Sequence, residues 1–219
     1  MSPSIRHQPP PQKNPGVSIA CRHGAGLVQL PYHSSQCPAA SLSRRRLYLN
    51  DNGVTRDSAG SINLALREGS LAGLHIKLNK ELGDATAEAL ELSKADTLQT
   101  LDVSQCGLTW AGATLLLGPS ELSTLSLFGN QLADGLDAAL ELPTLFTRAT
   151  KLTDLDLSGN SLGDAGAFKV LDRLQTAEDQ LPALAIIGLG ANDCADKGEW
   201  HNKVQDFRMA RQTVRVAWE

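Results

Sequence analysis

The chain has 219 residues, of which 42% are apolar, enough to build one hydrophobic core or a short array of repeats. Only 4% of the residues are aromatic, so aliphatic side chains must form most of that core. The net charge of −4 argues against a general nucleic-acid-binding protein. No apolar run reaches the roughly 18 residues that would predict a membrane-spanning helix.

The first 50 residues differ in charge from the rest of the chain. They contain six basic residues and no Asp or Glu, whereas the remainder carries 14 basic and 24 acidic residues. Residues 1–43 are also rich in Pro, Ser and Gln, so we expect a disordered tail. Two roles remain open for it. If the tail carries no targeting signal, we expect a cytoplasmic protein. If it is a transit peptide, a segment that is typically basic, Ser-rich and acid-poor, it directs the chain to an organelle.

The sequence lacks the usual motifs of catalytic and metal-binding sites. The four cysteines, Cys21, Cys37, Cys106 and Cys194, include no Cys-x-x-Cys pair, which favours free thiols in a reducing compartment. No phosphate-binding loop, His-Glu-x-x-His motif or Gly-x-Ser-x-Gly motif occurs. We therefore expect no cofactor, no bound metal and no catalytic residue.

A short pattern, Leu-x-Leu-x-x-Asn, occurs six times after residue 46, with some substitutions. The spacing between consecutive Asn positions is 27, 27, 24, 30 and 32 residues, which is typical of strand-and-helix repeats. Two Leu separated by one residue point to the same side of a strand. The six copies pair Leu47 with Leu49, Leu74 with Ile76, Leu101 with Val103, Leu125 with Leu127, Leu155 with Leu157, and Ile187 with Leu189.

The Asn position of each repeat predicts a structural role. An amide side chain carries donors and an acceptor, so it can satisfy backbone groups where the chain turns away from a strand. Stacked repeats would align these side chains in an asparagine ladder. The expected members are Asn52, Asn79, Cys106, Asn130, Asn160 and Asn192.

A helical segment is predicted after most of the Asn positions. Asp84 and Asp164 are expected at helix N-caps, and Ala-rich stretches follow both of them. A strand and a helix cannot each bury an apolar face alone, so the repeats must stack on one another.

The motif from residue 152 to residue 167, Leu-x-x-Leu-x-Leu-x-x-Asn-x-Leu-Gly-Asp-Ala-Gly-Ala, resembles the ribonuclease-inhibitor-like subfamily of leucine-rich repeat proteins. The resemblance extends over residues 47–194. It implies an α/β solenoid of six repeats within residues 44–194, a short curved arc with parallel strands on the concave face and helices on the convex face. It also implies a partner protein bound on the concave face.

The residues beside the paired Leu positions should face the concave side. They change from basic in the first repeats to acidic in the fifth, and Tyr48 and Phe128 are aromatic anchors of a kind common at interfaces. A solvated strand face is the alternative interpretation. The candidate partner-binding residues are Tyr48, His75, Lys77, Asp102, Ser126, Phe128, Asp154 and Asp156.

Both ends of a repeat array need protection from solvent. Residues 195–219 are predicted to form an amphipathic capping helix, with Trp200, Val204, Phe207, Val214 and Trp218 on its apolar side. No cap is evident before the first repeat.

These observations favour a non-catalytic interaction scaffold with a protein partner and no nucleic-acid partner. One alternative is a GTPase-activating-like regulator of a small GTPase, for which Arg56 is the only candidate catalytic group. Another is a fragment of a larger leucine-rich repeat receptor. Neither the partner's identity nor the oligomeric state can be deduced from the sequence.

Overall fold

The structure, a computed structural model, describes residues 20–22, 27–29, 45–68, 71–137, 148–176 and 180–218. Its strands are β1 (Ala20–Arg22), β2 (Leu27–Gln29), β3 (Arg45–Tyr48), β4 (Leu71–His75), β5 (Thr100–Asp102), β6 (Thr124–Ser126), β7 (Asp154–Asp156), β8 (Ile186–Gly188) and β9 (Arg215–Ala217). Its α-helices are α1 (Ala59–Glu68), α2 (Gly83–Ala89), α3 (Trp110–Leu116), α4 (Gly163–Thr176) and α5 (Lys197–Ala210). Short 3₁₀ helices occupy Arg56–Ser58 and Leu92–Lys94.

The strands form one open sheet in the order β2-β1-β3-β4-β5-β6-β7-β8-β9. The seven strands from β3 to β9 are parallel, so the predicted α/β leucine-rich repeat solenoid is confirmed. The first apolar residue of every repeat lies in one row across this sheet. That row runs through Leu47, Leu74, Leu101, Leu125, Leu155, Ile187 and Val216.

The hydrophobic core lies between the sheet and the helices. Leu74, Leu101 and Leu125 are fully buried at 0% exposure, and the helices contribute Trp110 and Leu171 from the other side. Each such side chain stabilises the fold by about 2 kcal/mol through removal of apolar surface from water. Because strand and helix alternate along the chain, every repeat packs mainly against its two neighbours.

Ion pairs on the outer surface connect adjacent repeats. Lys151 Nζ lies 2.5 Å from Glu121 Oε1, and Lys203 Nζ lies 2.5 Å from Asp172 Oδ1. Arg67 pairs with Glu91 in the same manner. Each pair has at least one side chain that is more than half exposed, so each adds at most about 1 kcal/mol.

The N-terminal edge differs from the expectation that the first repeat has no cap. Strand β1 pairs antiparallel with β3 and with β2, so a hairpin covers the edge of the first repeat. Residues 20–22 and 27–29 belong to the tail that the sequence predicts to be disordered, and here they are strands. The rest of residues 1–43 lies outside the described residues, and for it disorder stays a prediction.

The C-terminal segment is a helix only in its first part. Trp200, Val204 and Phe207 are buried on the predicted apolar side of α5, but the helix ends at Ala210. Val214 and Val216 then alternate with exposed residues and lead into β9, which extends the sheet. The prediction of one helix over residues 195–219 is therefore wrong after Ala210, because the β-branched alternation outweighs the helical spacing.

Candidate functional site

The concave face is the side of the sheet opposite the helices, and its side chains form three rows across the strands. The start row contains Arg46, Gly73, Thr100, Thr124, Asp154, Ile186 and Arg215. The middle row contains Tyr48, His75, Asp102, Ser126, Asp156, Gly188 and Ala217. The end row continues the same register beyond the strands and contains Asn50, Lys77, Ser104, Phe128, Ser158 and Gly190. All eight candidate binding residues of the sequence analysis lie on this face.

The first part of the middle row is a stack of rings next to a carboxylate. The rings of Tyr48 and His75 are parallel to within 10°, with centroids 4.5 Å apart. His75 Nδ1 lies 3.8 Å from Asp102 Oδ2, and both side chains are more than four-fifths buried. His75 Nε2 is buried without a hydrogen-bond partner among the described residues. Three neighbouring strands thus contribute one continuous group of side chains.

Serines extend this group towards the later repeats. Ser104 Oγ donates to Asp102 Oδ1 at 2.6 Å and lies 2.9 Å from Ser126 Oγ. Ser126 Oγ in turn lies 3.4 Å from Asp156 Oδ2, while the N–H of Ser158 donates to Asp156 Oδ1 at 3.0 Å. Polar contacts therefore connect the middle row from β4 to β7, with Ser104 of the end row as the link between Asp102 and Ser126.

Asp102, in the middle row, has a lowered pKa. Burial by itself would raise the pKa of Asp102. The His75 ring, the hydroxyl and N–H of Ser104, and the charge of Lys77 outweigh that effect and hold the pKa below its ordinary value of 3.8. Asp102 is therefore a fixed negative charge in the centre of the face.

The end row provides the most exposed aromatic side chain of the face. Phe128 is 38% exposed and lies over the turn of the next repeat. A Cβ at Gly159 would come 3.2 Å from the Phe128 ring, and Gly159 has a positive φ of 69°. Glycine at this position leaves room for the Phe128 ring and tolerates the positive φ.

The charge along the face follows the expected change from basic to acidic only as far as β7. Arg46 and Lys77 are exposed in the first repeats, and Asp154 and Asp156 lie in β7. Arg215 is exposed in β9, so the last strand is basic again. The sequence analysis missed Arg215 because it assigned this segment to a helix.

The asparagine positions form hydrogen bonds between consecutive turns. Asn130 Oδ1 accepts from the backbone N–H groups of Cys106 and Leu108 at 2.9 and 3.1 Å. Its Nδ2 donates to the carbonyls of Val103 and Leu127 at 3.0 and 2.9 Å. Asn79 and Asn192 bond to the preceding turn in the same way.

Three positions of the ladder depart from this arrangement. Asn52 is exposed and donates to Asn50, because no parallel repeat precedes it to supply the backbone groups. Cys106 replaces the amide with a thiol that donates to the Ile76 carbonyl at 3.2 Å. Burial raises the pKa of that thiol to about 11, so it keeps its proton. Asn160 keeps its donor contacts, but its Oδ1 accepts no hydrogen bond within the described part of the chain.

Asp84 and Asp164 are not helix N-caps, in contrast to the sequence expectation. Each lies in the first turn of its helix and accepts hydrogen bonds from the following repeat. Asp84 accepts from the N–H and hydroxyl of Thr109 at 2.9 and 2.6 Å, and Asp164 accepts from the N–H of Ala195 at 3.0 Å. A Cβ at Gly112 would collide with the Asp84 carboxylate, so this glycine permits the contact. Sequence spacing gave no signal for a partner about one repeat away.

The described residues were compared with the requirements of a metal site and of a membrane-spanning helix. They contain no group of three or more His, Cys, Asp or Glu side chains placed to hold a metal ion. None of their helices is both long and apolar enough to cross a bilayer. Arg56 is exposed in a 3₁₀ helix after β3, outside the three rows of the concave face.

A family model described as Leucine Rich repeat matches residues 148–171, which include β7 and the first nine residues of α4. No curated protein matches the chain. The matched segment contains the most regular copy of the sequence motif, and the other repeats share its strand register. The matched segment is thus similar to a leucine-rich repeat, and the other described repeats have the same strand-and-helix arrangement.

Proposed function

We propose that the chain is a non-catalytic scaffold of the ribonuclease-inhibitor-like kind that binds a partner protein through its concave face. The observation that carries this proposal is the continuous series of side-chain contacts from β3 to β7, which follows the middle row and passes through Ser104 of the end row. Such contacts hold the side chains in place before binding, which reduces the entropy lost on association.

Phe128 supports the proposal as an apolar anchor. Its ring is 38% exposed next to the polar middle row, while Asp156 and Ser158 lie on the neighbouring strand and turn. Aromatic side chains surrounded by polar groups frequently dominate the binding free energy of protein interfaces. A partner side chain that covers Phe128 would also exclude water from the adjacent hydrogen bonds.

The charges of the face support a defined orientation of the partner. Acidic Asp102, Asp154 and Asp156 lie between two basic residues, Arg46 in β3 and Arg215 in β9, the first and last of the parallel strands. A partner with the complementary order of charges would associate faster and in one orientation. The proposal places the protein in the cytoplasm, and an N-terminus near residue 40 in cells would instead indicate removal of a targeting peptide.

Affinity purification of the tagged full-length chain from its own cells, followed by mass spectrometry, tests the proposal. Phe128→Ala and Asp156→Lys are the test variants. Leu115→Ala and Glu88→Lys are matched controls, because Leu115 is a similarly exposed apolar residue in α3 and Glu88 is an exposed acid in α2. We expect partners that both test variants lose and both controls retain.

A partner retained by both test variants would contradict binding through the concave face. Thermal unfolding of each variant accompanies the purification, since a variant that does not fold would lose every partner. Asp156→Asn provides a milder change of the same charge if Asp156→Lys unfolds.

A further inference from the structure

Each pair of consecutive repeats meets at a joint, in which the ladder residue of the later repeat contacts the turn of the earlier one. The third joint, between repeats three and four, is complete. There Asn130 Oδ1 accepts from the N–H groups of Cys106 and Leu108 at 2.9 and 3.1 Å. The fifth joint is complete in the same way. Its bonds run to Asn192 Oδ1, at 2.8 and 3.4 Å, from the N–H groups of Asn160 and Leu162.

The fourth joint, between repeats four and five, lacks these bonds although its asparagine is correctly oriented. Asn160 Nδ2 donates to the Leu127 carbonyl at 3.1 Å, as Asn130 Nδ2 does to the Val103 carbonyl at 3.0 Å. Asn160 Oδ1 nevertheless accepts from no described donor. The two N–H groups that should reach it, those of Asn130 and Leu132, have no acceptor among the described residues either. Asn160 and Leu132 are 0% exposed and Asn130 is 7% exposed, so all three groups belong to buried residues.

The backbone that follows the ladder residue shows the same difference. At the fifth joint, the N–H of Gly163 donates to the Asn192 carbonyl at 2.8 Å, and backbone bonds also connect the two turns of the third joint. At the fourth joint, in the part of the chain that the structure describes, no hydrogen bond connects residues 130–136 with residues 160–166.

The sheet side of the fourth joint is intact. The N–H groups of Leu127 and Gly129 donate to the carbonyls of Asp156 and Ser158, both at 2.9 Å. On the concave face, Ser126 Oγ lies 3.4 Å from Asp156 Oδ2, within hydrogen-bond distance. The fourth joint is therefore held along the strands and lacks hydrogen bonds between the turns.

Two other contacts cross the fourth joint on the convex side. Lys169 Nζ lies 2.7 Å from Asp137 Oδ1, but both side chains are more than half exposed, so this ion pair stabilises the joint little. Leu136 lies against Gly166, where a Cβ would come 3.1 Å from Leu136 Cδ2. This apolar contact excludes water only while the two turns stay together.

We propose that the array has a hinge at the fourth joint, where the turns of repeats four and five separate while β6 and β7 stay paired. A buried N–H group without an acceptor is costly, and separation of the turns lets water supply the acceptor. Opening therefore costs less free energy at this joint than at the third or fifth joint.

The hinge itself does not depend on the proposed function, but one consequence rests on it. Phe128 belongs to repeat four and Asp156 to repeat five, so they lie on the two sides of the hinge. A partner that contacts both residues on the concave face would hold the hinge in one position.

Amide hydrogen exchange of the full-length, ¹⁵N-labelled protein, followed by nuclear magnetic resonance, tests the hinge without a partner. Protection factors correct for the intrinsic exchange rate of each amide. We expect those of Asn130 and Leu132 to be about tenfold or more below those of Cys106 and Leu108. An array without a hinge gives the opposite order, because its middle repeats have two neighbours and open least.

Two sheet amides serve as internal controls. Leu127 and Gly129 keep their bonds across the fourth joint when the turns separate, so their protection should match that of Val103 and Gln105 at the third joint. Equal loss of protection at Leu127 and Gly129 would show that the whole of repeat four unfolds, which would overturn a hinge at the sheet.

The same substitution at two ladder positions sharpens the test. Asn130→Ala removes a used acceptor, so exchange at Cys106 and Leu108 should become about tenfold faster. Asn160→Ala removes an oxygen that accepts no bond within the described residues, so exchange at Asn130 and Leu132 should change by less than about threefold.

Protection of Asn130 and Leu132 equal to that of Cys106 and Leu108 in the unchanged protein would overturn the proposal, because the fourth joint would then be as closed as the third. A tenfold acceleration at these two amides in Asn160→Ala would do the same, since it would show that Asn160 Oδ1 is their acceptor in solution. The first comparison needs no variant and stands even where a variant does not fold.

Discussion

The asparagine ladder and the concave face belong to the same repeats but differ in how much the residue type can vary from one repeat to the next. In the ladder, one residue type recurs at almost every turn, because each turn presents the same two N–H groups and the same carbonyl. On the concave face, equivalent positions hold Tyr, His, Asp, Ser and Gly. The fold therefore determines the identity of the buried turn residues and leaves the exposed rows free to vary.

We therefore expect the ladder residues to determine mainly the stability of the fold and the exposed face residues to determine mainly partner binding. Replacement of a ladder residue leaves buried backbone groups without partners, whereas replacement of an exposed face residue leaves water to take its place. Measurements of unfolding free energy along the two sets of positions can test whether the separation holds.

The largest effect is expected for Asn130→Ala. The substitution removes the acceptor of two buried N–H groups and the donor to two carbonyls, which should lower the free energy of unfolding by about 3 kcal/mol. Urea unfolding followed by circular dichroism measures this change. A loss of less than about 1 kcal/mol would mean that water replaces the amide and that the ladder contributes little.

Asp102→Asn should have an intermediate effect, which depends on pH. The folded protein holds the pKa of Asp102 below 3.8, so the carboxylate stabilises the fold above that value. We expect a cost of about 1 to 2 kcal/mol near neutral pH that disappears as the pH falls through the folded-state pKa. Urea unfolding of both proteins across this range provides the check. A constant difference at every pH would show that Asp102 acts through packing alone.

Cys106→Ala is expected to cost about 1 kcal/mol, less than Asn130→Ala. The thiol donates to the Ile76 carbonyl, but the backbone N–H of residue 106 keeps its bond to Asn130 after the substitution. The same urea experiment compares the two variants directly. Equal costs would indicate that cavity formation, and not the number of hydrogen bonds, controls the stability of the turns.

Lys77→Ala should have the smallest effect. Lys77 is exposed in the end row, so we expect a change in unfolding free energy within about 0.5 kcal/mol. The substitution also removes a charge that lowers the pKa of Asp102, so that pKa should rise. Side-chain carboxyl signals in nuclear magnetic resonance report this shift. An unchanged pKa of Asp102 would show that the charge of Lys77 does not affect this carboxyl group.

The sequence predicted the repeated part of the fold because its periodicity is local. Apolar residues two positions apart, such as Leu101 and Val103, lie on one side of the sheet, and such units stack because they must bury that side. The same alternation placed all eight candidate face residues on the concave side.

The remaining features depend on contacts between repeats or at the ends, which local spacing does not encode. The local sequence predicts Asp84 as a helix N-cap, yet it lies in the first turn of α2 and bonds to Thr109, 25 residues away. Asn52 matches the motif, but the edge of the array removes its partners. The hairpin of β1 and β2 comes from a segment whose composition favours disorder, and its pairing with β3 requires the sheet edge to exist first.

Arg211 affects the order in which the array opens. It is 3% exposed, and its guanidinium donates at 2.8 Å to the carbonyls of Leu174, near the end of α4, and of Leu181, in the loop before β8. Terminal repeats usually fray first because they have one neighbour. Because this side chain joins α4, that loop and the end of α5, we expect the C-terminal end to open as one cooperative unit. We therefore expect fraying to begin at the opposite end, with faster amide hydrogen exchange there than in the last two repeats.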